Sequence, residues 1–148
     1  MADYFTNFSL MVDLPTEEAE KYALNLAQQA FHGHMGEDLP DDFPASLRDI
    51  IEDWQFDTEP SDPSIGWGLW LHSDSSGIDA VCAFIQHLLE RFDPAGHVAL
   101  EWSNDCSKPR VDAFGGGAAI ITATRIKTIS TSQWLHRHTA KLQAAKSR

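Results

Sequence analysis

Cys106 is the residue type in this sequence best suited to nucleophilic chemistry. It stands in the segment WSNDCSKPRVDAFGGG, residues 102–117, two positions before Lys108 and four before Arg110. Cationic neighbours favour a thiolate over a thiol. A base would have to come from His72 or His97, and a small enzyme or ligand binder would use Cys106 with the Lys108, Arg110 and Asp112 turn. No nucleophile signature surrounds the cysteine, and nothing in the spacing places either histidine beside it. The sequence therefore leans away from an enzyme, and Asp112 is expected to pair with Lys108 or Arg110 to hold the turn.

The other chemically suggestive patterns weaken in context. Glycines 115–117 would cradle a phosphate if they opened a helix, but they lead into the β-branched run AAIITATRI. A close backbone approach, with Trp67 or Trp102 lying over the bare Cα atoms, accounts for them better. His136 and His138 lie about 200° apart on a predicted helix and cannot share an ion, and His32 and His34 lack a third ligand of suitable spacing. No metal and no cofactor is expected. Trp67 and Trp102 are assigned to the core. Trp70 points the other way beside His72, as an exposed aromatic that could stack on single-stranded nucleic acid.

Charge is the strongest global signal. The net charge of the 148 residues is −11. Residues 1–100 hold 19 acidic side chains against Lys21, Arg48 and Arg91, a net of −16, while residues 101–148 are at +5. Such a surface repels phosphate backbones, so nucleic acid is a poor partner. The segment 37–62 carries ten carboxylates and one arginine without the spacing of a calcium loop. Its Asp41, Asp42, Asp49, Glu52, Asp53, Asp57 and Glu59, with Trp70, Lys108 and Arg110, are the candidate binding residues. No apolar run reaches membrane-spanning length, and the first residues lack the pattern of a signal peptide. Two cysteines outside any metal spacing fit a reduced, cytoplasmic setting.

The elements that must position these residues follow from periodicity. YFTNFSLMVDL alternates as a half-buried strand, and Thr16 caps a helix whose Ala19, Tyr22, Ala23, Leu26, Ala30 and Phe31 face inward, with Gly33 as the stop. Within 37–62, Leu47, Ile50, Ile51 and Trp54 have the spacing of a short helix packed on the body. IGWGLWLHS is a strand with Ile65, Trp67, Leu69 and Leu71 on one face. Ser76 is expected to cap a helix bearing the stripe from Ile78 to Phe92. HVALEWS and GGAAIITATRI are further strands, and a helix at about 131–146 follows. One domain is expected over residues 1–148. Its class is α+β, with a mostly antiparallel sheet of about five strands and two main helices on one face, in the ferredoxin-like, split βαβ manner.

The segment W-x-N-x-C-S-K-P-R-x-D-x-F-G-G-G, from Trp102 to Gly117, with residues 4–14 and about 68–135 around it, resembles a family of small proteins carried by phages, plasmids and integrated elements. That resemblance implies an accessory protein of a mobile element acting in the host cytoplasm, in the manner of anti-CRISPR or anti-defence inhibitors. The expectation is a non-enzymatic protein that binds, and so blocks, a host protein with a basic surface. A small enzyme or ligand-binding protein using Cys106, and a single-stranded nucleic-acid binder, are the alternatives.

Overall fold

The computed structural model describes residues 2–147. Strand β1 (Tyr4–Asp13) leads into helix α1 (Glu17–His34), and Thr16 accepts a hydrogen bond from the Ala19 amide at 3.1 Å. A four-residue helix α2 (Ala45–Arg48) and a 3-10 turn at Ile51–Asp53 come next, followed by strands β2 (Asp57–Pro60) and β3 (Gly68–Ser73). Helix α3 (Ile78–Phe92), strands β4 (His97–Cys106), β5 (Gly115–Thr122) and β6 (Ile126–Ser130), and helix α4 (Thr131–Lys146) complete the order.

The six strands form one sheet in the order β2-β3-β1-β4-β5-β6, with every neighbouring pair antiparallel. Because β1 lies between β3 and β4, those two run parallel to each other across it and are joined by α3. Likewise β1 and β2 run parallel across β3 and are joined through α1. The elements from β1 to β4 are thus two interlocked split βαβ units, the ferredoxin-like order, and the β5–β6 hairpin extends the sheet on the far side of β4.

One face of the sheet presents Phe8, Val12, Leu69, Leu71, Leu100, Ala119 and Ile121 to the buried sides of α1 and α3. Residues 37–62 contribute to this core instead of lying on it. Phe43, Leu47, Ile51, Trp54 and Phe56 are all buried, and the Trp54 ring packs 4.8 Å from Phe56 and 5.2 Å from Phe84. Glu20, in the first turn of α1, reaches the sheet and accepts a hydrogen bond from the Gly68 amide at 2.9 Å. A side chain at 68 would collide with the Val12 carbonyl.

Several local expectations are corrected. The helix expected across Leu47–Trp54 breaks after Arg48 and resumes as the 3-10 turn, and the last residues of the acidic segment form the edge strand β2. Residues 65–67 precede β3: Gly66 takes φ +136°, Ile65 is 80% exposed, and Trp67 is not core. The run from 115 to 126 folds back at 123–125 to make the sixth strand, because Thr122 Oγ1 accepts the Arg125 amide at 3.0 Å and closes a turn. Gly33 lies within α1, where Leu39 packs against its bare Cα. The reversal is made by Gly36 at φ +101°. Phe31 is about half exposed. Ser76 does not cap α3: Gly77 occupies the N-cap, and the Ala80 amide donates to Asp53 Oδ2 at 3.0 Å.

Candidate functional site

Two regions gather the side chains singled out by the sequence, and they lie at opposite edges of the sheet. The acidic region is built on β2, β3 and the loop–helix segment before them. The β2–β3 register sets Asp57 opposite His72 and Glu59 opposite Trp70. Cross-strand neighbours on one face are close enough to interact. His72 Nε2 lies 2.8 Å from Glu59 Oε2, and Nδ1 lies 3.9 Å from Asp57 Oδ2. The Trp70 ring stacks on His72 at 3.9 Å between centroids, and its indole N–H donates to Ser9 Oγ at 2.8 Å. Asp57, Glu59 and Trp70 are therefore one cluster, on the sheet face away from α1 and α3. With two carboxylates beside it, this tryptophan offers a poor platform for a phosphate-bearing strand.

Asp41, Asp42, Asp49 and Glu52 are exposed and have no cationic partner within ion-pair distance among the described residues. Arg48, the one cation in the segment, is exposed and donates to the Pro40 and Asp41 carbonyls at 2.6 and 3.4 Å. Asp53 differs from its neighbours, since its carboxylate is committed to the first turn of α3, where negative charge is favoured. Nothing in the local sequence signals that role, because the amide it accepts from, Ala80, lies 27 positions downstream.

Next to this edge a cleft of about 370 Å³ runs between α1 and β2, lined by Leu24, Ala27, Gln28, Phe31, Trp54, Phe56, Asp57 and Thr58. Thr58 Oγ1 is shielded from solvent and has no hydrogen-bond partner among the described residues.

At the other edge stand β5, β6 and α4. Trp102 lies over Gly117, as expected for a close approach: a Cβ at 117 would sit 2.3 Å from Trp102 Cζ2. A groove of about 630 Å³ opens between these strands and the start of α4, with the three glycines, Trp102, Ile129, Trp134 and Leu135 along it. Thr131 ties α4 to the glycines, its Oγ1 accepting the Gly116 amide at 3.1 Å. Lys108 and Arg110 lie exposed in the turn between β4 and β5. Asp112 adopts φ +63° there and pairs with neither among the described residues.

Cys106 ends β4, half-buried and opposite Tyr4. His97 begins the same ten-residue strand, about 30 Å away at 3.3 Å per residue. His72 pairs with Ser9, five positions along β1 from Tyr4 and on the opposite sheet face. The fold thus brings neither proposed base to Cys106. Cys82 is buried on α3; burial, with Asp79 and Asp53 nearby, raises its thiol from 9.0 to about 11. His32 lies beside Glu37 and His34 beside the Ile51 carbonyl, and no group of three potential metal ligands occurs among the described residues. No helix among them is long and apolar enough to cross a membrane.

No family, curated protein or solved structure matches the chain.

Proposed function

We propose that this chain is a non-enzymatic binding protein that meets a basic surface of a host protein with the acidic edge around α2, the 3-10 turn and β2, and so acts as a blocking accessory protein of a mobile element. One observation carries the proposal: Asp41, Asp42, Asp49 and Glu52 are all exposed and form no ion pair among the described residues, on a segment whose apolar residues anchor it in the core. A fixed array of like charges raises association rates with an opposite surface by about 10- to 1000-fold at low ionic strength. The separation of Cys106 from both histidines disfavours the enzyme alternative.

The test replaces Asp41, Asp42, Asp49 and Glu52 by Asn or Gln and compares capture of host proteins with that by the parent chain. Circular dichroism verifies that the fold is unchanged. Association with captured partners should slow at least tenfold at low salt and converge with the parent at high salt. Identical capture at low salt would defeat the proposal.

A further inference from the structure

We propose that the free edge of β2 and the cleft beneath it receive an extended segment of the partner protein, one that alternates apolar and basic side chains and adds as a further strand of the sheet. This rests on the acidic-edge function proposed above and specifies how that edge is read.

Among the described residues strand β2 pairs only with β3, so its other side offers the Thr58 amide and carbonyl and the Pro60 carbonyl unpaired. On the helix side of the sheet, α1 carries Leu24, Gln28 and Phe31 along the cleft, and Phe31 is 47% exposed. An apolar strip of helix therefore lies where the next strand would need cover. Side chains alternate between faces along a strand. In an added strand, those beside Thr58 would fall into the cleft against Phe31 and Leu24. Those beside Asp57 and Glu59 would fall on the carboxylate face with Trp70 and His72, where a lysine or arginine is matched in charge. Pro60 has no amide hydrogen, so the ladder is confined to the first residues of β2. The same carboxylates set like charges together when a second copy approaches edge to edge, which disfavours self-pairing. A basic strand is therefore the occupant that both faces accept.

The probe is a fluorescein-labelled peptide of alternating lysine and valine, seven residues long, titrated into the full chain and followed by anisotropy. Two control peptides carry either N-methyl groups on alternate amides or glutamate in place of lysine. The alternating peptide should bind and slow deuterium exchange at the Thr58 amide, since 57 and 59 face β3. The N-methylated peptide should bind at least tenfold more weakly, and the glutamate peptide should not bind. Phe31→Ala removes a half-exposed ring and should weaken binding several-fold while the variant remains folded by circular dichroism, and Glu59→Gln should weaken it independently. Equal binding of the N-methylated peptide, or no effect of Phe31→Ala, overturns strand addition. So does failure of the peptide to bind. In each case the function proposed above stands or falls separately, on the capture assay with the Asp41, Asp42, Asp49 and Glu52 variant.

Discussion

Replacing Gly117 with alanine places a methyl group where Trp102 and β6 already are. The new carbon would lie 2.3 Å from Trp102 Cζ2, 2.7 Å from Cε2 and 2.6 Å from the Ile129 carbonyl oxygen, whereas favourable carbon contacts begin at about 3.5 Å. The indole can swing aside, at the expense of its packing on the core. The carbonyl cannot move alone, because it belongs to the β5–β6 ladder. Overpacking of this kind costs about 1–3 kcal/mol, and a backbone atom among the clashes puts this site at the upper end. The stiffer unfolded chain of the alanine variant offsets about 0.4–1 kcal/mol. The net loss is about 2 kcal/mol, equivalent to a fall in Tm of roughly 4–8 °C for a chain of this size. Urea unfolding followed by far-UV circular dichroism measures it. Repeating the substitution in a Trp102→Leu background removes the ring clash and keeps the carbonyl clash, so the cost there should drop by about half. A midpoint shift worth less than about 0.5 kcal/mol, or no relief in the Trp102→Leu background, would refute the close-approach account of the glycines.

Thr58→Val removes the shielded hydroxyl that has no partner, and should stabilise the fold by about 1 kcal/mol in urea titrations; a loss of stability would show that the hydroxyl is satisfied in solution. Asp53→Ala removes the acceptor at the start of α3 and should cost about 1 kcal/mol, a value distinguishable from the near-zero effect expected of Asp49→Ala. The Cys82 thiol ionises at about 11 in the fold and at 9.0 unexposed to burial. The unfolded chain therefore loses this proton first, and its stabilising contribution is complete below pH 9 and lost as pH rises towards 11, by up to roughly 2–3 kcal/mol. Unfolding midpoints between pH 8 and 11 should fall less steeply in Cys82→Ala. Iodoacetamide should modify Cys106 in the native protein and reach Cys82 only on unfolding.

Period and capping made the elements around the core legible. The alternation of Phe8, Leu10 and Val12, the stripe from Ile78 to Phe92, and Thr16 as a cap all rest on neighbours within a few residues, where sequence spacing fixes geometry. What escaped depended on distant partners or on a single glycine conformation. Asp53 reads as one more surface acid until α3 is brought beside it. Residues 65–67 continue an alternating pattern, yet Gly66 takes a left-handed backbone that ends the strand. The turn at 123–125 has no glycine or proline to announce it, being closed by the Thr122 side chain. For the candidate site, the excess of acid at 37–62 was visible in composition. Its joining with Trp70 and His72 was not, because that required knowing that residues 57–60 form a strand in register with β3.

Helix α4 contains no buried residue. It holds to the body through Thr131 and the contacts of Trp134 and Leu135 along the groove, so detaching it disturbs little of the core packing. Local openings of this kind lie far below the free energy of global unfolding. Amide protons of α4 should therefore exchange on a fast clock of their own, while those of α3 and β4 keep the slow clock of the whole fold. Since α4 supplies one wall of the 630 Å³ groove, that space lasts only as long as the helix stays docked. Its lifetime is that of the docking made by Thr131, Trp134 and Leu135, and any molecule occupying it would slow exchange in α4 first.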